Sequence, residues 1–178
     1  MKIKKTEFPE TSALYKGKKD FDYMDSFEGK LTERRSNPDI TEVGKAFFTS
    51  GPVWGKKMFA FRNKIAGLFG LKTGAETGKK PAGNDAQYEV GERIGLFKVF
   101  DKTYNEIILG EDDRHLDFRV SLLFDKNKDE EENSLTISTT VKFHNWLGVL
   151  YFLPVRPFHK LIVPAMLKNM IHKLEKAN

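Results

Sequence analysis

The residues best suited to chemistry are two histidines and an aspartate in the second half of the chain. His115 and Asp117 are two positions apart, and His144 lies in the next segment where apolar and polar residues alternate. Residues two apart in a strand share one face of the sheet, and two histidines with one carboxylate are the ligand set of non-haem Fe(II) oxygenases. Arg119 and Lys142 would bring positive charge to the same place, and the chain has too few strands for a jelly roll. We therefore expect no metal.

The same residues have a structural interpretation, as a cross-strand network on the outer face of a sheet. Apolar and polar residues alternate over 114–124 and over 134–144, and the acidic segment 125–133 between them is typical of a hairpin tip. A one-residue slip would place apolar side chains opposite polar ones, so the alternation favours one register. The predicted pairs are Leu116 with Phe143, Phe124 with Leu135, Asp117 with Lys142, and His115 with His144.

The strand before this hairpin is predicted at 105–110 and follows the same rule. Its predicted pairs with 114–124 are Leu109 with Leu116, Ile107 with Phe118, and Glu106 with Arg119. An ion pair between Glu106 and Arg119 would extend the outer-face network beside Asp117 and Lys142.

The other short motifs predict no cofactor. The glycine-rich segment 74–80 has one residue too few between its glycines for a phosphate loop, and no serine or threonine follows its lysines. The acidic segment has Glu130 where a calcium loop needs glycine. No serine or cysteine lies in a recognisable nucleophile elbow.

The composition indicates one domain without thiol chemistry. The chain has 178 residues, of which 39% are apolar, with 15 Phe and no Cys. It is long enough to bury a core without disulfides, and thiolate zinc sites are excluded. The net charge of +5 is concentrated near the two ends rather than in an arginine-rich stripe, which argues against nucleic acid. We find neither a secretory signal nor an apolar run of ~20 residues, so we expect a cytoplasmic protein without a transmembrane segment.

The elements that must position these residues begin with a flexible arm at 1–19, followed by a single domain at 20–178. A first strand is predicted at 21–31. Two short helices follow: Asp39 caps the first, and the second carries an apolar stripe that begins at Trp54. A polar loop is predicted at 73–85.

Strands are then predicted near 86–92, 95–101, 105–110, 114–124 and 134–144. A long helix at 147–175 ends the chain, and its three prolines, Pro154, Pro157 and Pro164, should kink or break it. The predicted class is α+β, a curved antiparallel sheet wrapped around the C-terminal helix, because a sheet with one apolar face needs an apolar cover.

This order of elements resembles the helix-grip fold of START domains and the birch-pollen-allergen (SRPBCC) superfamily. Three segments also resemble the bacterial domain of unknown function 2867 family, over most of residues 20–170. They are 51–72, with Gly-Pro-Val-Trp and Phe-Arg-Asn; 109–119, reading LGEDDRHLDFR; and 144–159, with His-Asn, Leu-Gly and Arg-Pro-Phe-His. The resemblance implies the fold and a ligand cavity between the sheet and the helix, and it implies no catalytic residues.

Such a cavity predicts a protein that binds a small hydrophobic or amphiphilic molecule. Pockets of this kind are mostly apolar and have a few polar anchors. The predicted lining consists of apolar side chains with basic residues at the rim that would hold a carboxylate or phosphate: Trp54, Met58, Phe61, Arg62, Phe97, Phe118, Val141, Phe143, Tyr151, Arg156, Phe158 and His159.

Two alternatives stay open. The first is an enzyme that uses the same cavity, with cyclase-like or hydrolase-like activity, or with a metal at His115, Asp117 and His144. The second is a module that binds a membrane surface or a partner through the basic terminal helix. The prolines of that helix and its expected burial argue against the second alternative.

Overall fold

The structure, a computed structural model, describes residues 2–31, 38–52, 67, 86–126 and 133–176. Its framework is an antiparallel sheet with strand order β1-β2-β7-β6-β5-β4-β3, accompanied by a long C-terminal helix. The strands are β1 (Lys4–Thr6), β2 (Tyr23–Leu31), β3 (Arg93–Ile94), β4 (Phe97–Lys102), β5 (Glu106–Asp112), β6 (Leu116–Asp125) and β7 (Asn133–Phe143). The described helices are α1 (Ile40–Thr49), α2 (Trp146–Lys176) and a 3-10 helix (Ala13–Asp20). The predicted α+β class is confirmed, and the arrangement is consistent with a helix grip.

Helix α1 begins where the sequence predicts. The Asp39 side chain accepts a hydrogen bond from the Glu42 backbone N–H, and the Glu42 side chain accepts one from the Asp39 backbone N–H, which completes a capping box. The predicted helix that begins near Trp54 and the predicted loop at 73–85 lie outside the described residues.

The β6–β7 hairpin has the predicted register. Leu116 pairs with Phe143, Phe124 with Leu135, and Asp117 with Lys142. Val120 and Val141 are buried while Lys142 is exposed, so the apolar face points towards the core as the alternation requires.

The predicted pairing of β5 with β6 is wrong by four residues. Ile107 pairs with Leu122 instead of Phe118, and Leu109 pairs with Val120 instead of Leu116. A shift by an even number of residues keeps every side chain on its own face, so alternation alone cannot distinguish the two registers.

The strand predicted at 86–92 is also wrong. That stretch contains a turn at Val90–Gly91, and the first strand after it is the two-residue β3. Tyr88 and Gly91 both have positive φ, 57° and 92°, a conformation that is incompatible with a continuous strand. The apolar pattern there arises because Ala86 and Tyr88 are buried in the core without being in a strand.

One stripe of α2 packs against the sheet. Its buried members fall into two groups, at 148–152 and 163–174, and within each group they follow the spacing of one face of an α-helix. They are Gly148, Tyr151, Phe152, Val163, Leu167, Met170, Ile171 and Leu174. A Cβ atom on Gly148 would lie 2.2 Å from the backbone oxygen of His115, so glycine allows the start of α2 to approach the end of the hairpin.

The three prolines of α2, which were expected to kink or break it, do not break it: the helix is continuous over Trp146–Lys176. Proline lacks the N–H that would bond to the carbonyl four residues earlier, and those positions are Leu150, Leu153 and Lys160. All three residues are exposed, so water can hydrate the freed carbonyls. Within the described part of the chain, no helix combines the length and the hydrophobicity that crossing a bilayer would require.

The segment predicted as a flexible arm carries secondary structure that the sequence did not indicate. β1 pairs with β2 at the sheet edge, and the hydroxyl of Ser12 donates to the buried Glu106 carboxylate at 2.5 Å. The same carboxylate accepts from the Ala13 backbone N–H at 2.9 Å and from the Ser121 hydroxyl at 2.5 Å. Glu106 therefore joins the amino-terminal segment to β5 and β6 instead of pairing with Arg119.

Candidate functional site

A buried carboxylate lies between β2 and the middle of α2. The side chain of Asp25 is only 2% exposed. Its Oδ2 accepts a hydrogen bond from the Tyr23 hydroxyl at 2.5 Å, and its Oδ1 lies 3.1 Å from Nε2 of His159. A buried carboxylate normally needs such partners because desolvation penalises its charge. We call Tyr23, Asp25 and His159 the polar triad.

The alternation of β2 and the periodicity of α2 bring the triad together. Tyr23 and Asp25 are four and two positions before Phe27, which belongs to the main core, so the three share the inner face of the sheet. His159 follows Tyr151 and Phe152 by two helical turns on the stripe of α2 that faces the sheet. Two polar residues of β2 and one of α2 therefore meet inside a largely apolar interface.

A second buried polar group, on β7, is the cross-strand neighbour of Asp25. Thr139 pairs with Asp25 on one side and with Val120 on the other. Thr139 is 5% exposed, and its Oγ1 has no hydrogen-bond partner among the described residues. An unpaired buried hydroxyl costs about 1–3 kcal/mol, so a polar ligand atom near Thr139 would be stabilised.

The environment of Tyr23 keeps its phenol protonated. Burial raises the pKa of Tyr23 well above its ordinary value, and the hydrogen bond to Asp25 raises it further. The guanidinium of Arg156, whose central carbon lies 5.3 Å from the centre of the Tyr23 ring, lowers this pKa by less. Tyr23 is therefore a hydrogen-bond donor to Asp25 across the physiological pH range.

An incompletely closed apolar cluster adjoins the triad. Its buried members are Leu116, Val141, Tyr151 and Phe152, and its partly buried members are Tyr23, Phe118, Phe143 and Val155. Half of this cluster is therefore partly open to solvent, whereas the main core has many more buried than partly buried members. The rings of Tyr23 and Phe152 make an edge contact at 4.8 Å between centroids, and those of Phe143 and Phe152 are 5.5 Å apart.

The predicted lining residues fall into three groups. Val141, Phe143 and Tyr151 lie in the cluster beside the triad, and Phe118 packs against both this cluster and the main core. Phe97 belongs to the main-core side, where its ring makes edge contacts with Phe47, Phe48 and Phe118.

The remaining lining residues lie at the rim or outside the described residues. Arg156 is exposed above the Tyr23 ring, Phe158 is 38% exposed, and His159 belongs to the triad. Trp54, Met58, Phe61 and Arg62 lie outside the described part of the chain. The role of all twelve residues in binding stays a prediction.

The three residues considered as metal ligands do not converge on one point. Nε2 of His144 lies 2.9 Å from Oδ1 of Asp117, while Nδ1 of His115 lies 3.1 Å from the side-chain oxygen of Asn145. Asp117 lies beside Lys142 in the register, as predicted, but its observed ion pair is with His144. Within the ranges that the structure describes, no three His, Cys, Asp or Glu side chains are grouped to hold a metal ion.

The predicted pairing of Arg119 is wrong for the same reason as the β5–β6 register. Its guanidinium contacts the carboxylate of Asp112 at 2.5 Å and stacks 3.5 Å from the centre of the Phe100 ring. Arg119 is therefore a half-buried residue whose contacts connect β4, β5 and β6.

The comparisons with known proteins give one match. A family profile described as "Protein of unknown function (DUF2867)" covers residues 18–166, which is most of the chain. The chain belongs to this family. No curated protein and no solved structure matches it. The DUF2867 match includes the whole polar triad and the cluster beside it.

Two residues of the triad, Tyr23 and Asp25, and the neighbouring Thr139 were missed by the sequence analysis, although a signal was present. Tyr23, Asp25 and Phe27 occupy alternate positions of β2, so an acidic residue stands where the pattern demands an apolar one. An ionisable residue at a core-facing position is the usual sign of a polar network or a binding site.

The raised pKa of Tyr23 predicts a stability change at high pH. A phenol whose folded pKa lies above the unfolded value contributes stability that is complete below about pH 10 and is lost as pH rises through the folded pKa. Burial also raises the pKa of Tyr88 to about 12, so wild-type protein should lose stability above about pH 10. The Tyr23→Phe variant should lose less stability than the wild type over the same pH range.

Urea unfolding from neutral to alkaline pH measures this loss, with the exposed Tyr104→Phe as control. If the stability of the wild type and of Tyr23→Phe fell equally steeply with pH, the burial of the Tyr23 phenol would be disproved.

Proposed function

We propose that the protein binds a small amphiphile with an anionic headgroup between the inner face of β2 and β7 and the first half of α2. The observation that carries the proposal is the polar triad beside a half-open apolar cluster. Ligand pockets combine an apolar lining with a few convergent polar groups. Among the described residues, the polar triad and the cluster beside it have that combination.

The apolar part of the ligand would contact the cluster. Val141, Phe143, Tyr151 and Phe152 present aliphatic and aromatic surface there. Burial of apolar surface contributes about 25 cal/mol per Å², so a chain of several methylene groups that covers the partly exposed rings would bind favourably.

The headgroup would contact Arg156 rather than His159, both of which were predicted anchors. His159 already contacts Asp25, whereas Arg156 is exposed and lies above the Tyr23 ring. A guanidinium binds a carboxylate or phosphate with two parallel hydrogen bonds. The Asp25 carboxylate, inside the same site, favours ligands whose negative charge stays at the rim.

Thermal unfolding with added decanoate tests the proposal. A ligand that binds only the native state should raise the melting temperature by about 5–10 °C at a concentration about a hundredfold above its Kd. Decyltrimethylammonium, with the same chain and the opposite charge, should raise it less. Arg156→Gln should remove the difference between the two ligands, and the exposed Arg114→Gln is its matched control.

The variant Val141→Phe tests whether loss of binding comes from a filled site or from an unfolded protein. Its phenyl ring should occupy the site and abolish the response to both ligands, while the chain still unfolds cooperatively. If neither ligand shifts the melting temperature of the wild type, or if Val141→Phe responds as the wild type does, the site does not bind amphiphiles.

A second candidate function rests on the contact between Asp25 and His159. A histidine oriented by a buried carboxylate is a common general base, so an enzyme acting on a molecule in the same site is the alternative. It predicts turnover of a chromogenic medium-chain ester that His159→Gln abolishes while decanoate binding persists. Absence of turnover in the wild type would leave ligand binding as the function.

A further inference from the structure

The first half of α2 is apolar on both of its faces. One face packs against the sheet, and the other is exposed: Trp146 is 70% exposed, Leu153 58% and Leu161 64%. Six of the nine large apolar side chains that are exposed in the described residues lie between 146 and 161. Such a concentration on one element marks an interaction surface, whereas single exposed apolar residues do not.

These residues form a stripe at helical spacing. Val149, Leu150 and Leu153 follow Trp146 by three, four and seven positions, and Leu161 follows Leu153 by eight. Lys160 lies on the same side of the helix, because it is seven positions after Leu153. We call this set the outer stripe of α2.

The charge of α2 identifies what would cover the stripe. The helix contains Arg156, Lys160, Lys168, Lys173 and Lys176, and its one acidic residue is Glu175 near the end. A second copy of the chain would bring an equally basic helix, which like charges disfavour. An anionic surface is the complementary partner.

The prolines favour a hydrated partner over a dry one. They free the backbone carbonyls of Leu150, Leu153 and Lys160, all of which belong to the outer stripe. A dry protein interface would leave these acceptors without hydrogen bonds, whereas water reaches the headgroup region of a bilayer. Exposed Trp and Leu with flanking Arg and Lys are typical of helices that lie in that region.

We propose that the outer stripe of α2 docks this protein on an anionic membrane surface. The inference is independent of the proposed ligand site, because it uses the opposite face of the helix. It revises the expectation that the prolines and the burial of the terminal helix argue against a membrane-surface role, because only one face is buried and the carbonyls that the prolines free lie on the exposed face.

Co-sedimentation of the full chain with vesicles tests the inference. Vesicles of equal parts phosphatidylcholine and phosphatidylglycerol should bind the protein, and phosphatidylcholine alone should bind it at least about tenfold more weakly, because each basic residue near an anionic surface contributes to binding. Leu150→Gln combined with Leu153→Gln should reduce binding about tenfold or more. Val90→Thr combined with Tyr104→Ser, at exposed apolar sites away from α2, is the matched control.

A second variant, which changes charge instead of apolar surface, tests the inference even if the first variant misfolds. Lys160→Glu combined with Lys168→Glu changes two exposed residues and should remove the preference for phosphatidylglycerol. Equal binding to both vesicle types by the wild type would overturn the inference. So would self-association in solution that the apolar double variant abolishes, because the partner of the stripe would then be a second copy.

Discussion

Replacing Asp25 with alanine should lower the free energy of unfolding by about 3–5 kcal/mol, the range for breaking a buried pair from one side. The change removes the acceptor of the Tyr23 hydroxyl and the partner of His159 Nε2, and both groups would stay in the interior without compensation. The variant Asp25→Asn keeps an oxygen acceptor, so it should lower the free energy of unfolding by less than Asp25→Ala does. Urea unfolding of the purified variants measures the difference.

The control for Asp25 is a similar pair on the surface. Asp117 and His144 are 2.9 Å apart, but their side chains are 26% and 37% exposed. Asp117→Ala should therefore cost at most about 1 kcal/mol. If Asp25→Ala were as mild as Asp117→Ala, the triad would not be a buried network, and its role in the proposed site would lose its basis.

Replacing Leu167 with alanine should cost about 2–5 kcal/mol, as for other large-to-small changes in a packed core. Leu167 is fully buried on the face of α2 that packs against the sheet. It lies close to Gly29 of β2, whose lack of a side chain allows Leu167, Ile171 and Ile3 to fill that space. The variant would leave a cavity between helix and sheet. Chemical denaturation measures the loss.

Leu161 provides the matched control on the same helix. It is 64% exposed, so Leu161→Ala should change the free energy of unfolding by no more than about 0.5 kcal/mol. Comparable losses for Leu161→Ala and Leu167→Ala would mean that the two faces of α2 have been assigned wrongly, and the membrane-docking inference would fail with them.

Alternation predicted the elements whose polar and apolar residues separate cleanly. β6 and β7 contain long runs of period two, which exclude every odd shift, and the predicted pairing of Leu116 with Phe143 is the observed one. β5 is short, and an even shift satisfied the same rule, so its register depended on contacts that no pattern contains. One of those contacts is between Glu106 and the amino-terminal Ser12, which are far apart in sequence.

The candidate site was predicted on its apolar side and at the basic residues Arg156 and His159, but not at Tyr23 or Asp25. Val141, Phe143 and Tyr151 were found because aromatic and branched residues at inward positions indicate a lining. The polar triad depends on the meeting of β2 and α2, and a sequence does not reveal which histidine of a helix reaches which strand. The outer stripe of α2 was missed for a related reason: a helix apolar on both faces indicates complete burial, and here one face is exposed.

The most direct test of the proposed function is a nuclear magnetic resonance titration of isotope-labelled protein with decanoate. The proposal predicts saturable changes that are largest at Thr139, Val141 and His159, with one decanoate bound per chain, and no such changes in Val141→Phe. Changes confined to the outer stripe of α2, or none at all, would contradict the claim that an amphiphile binds between the sheet and the helix.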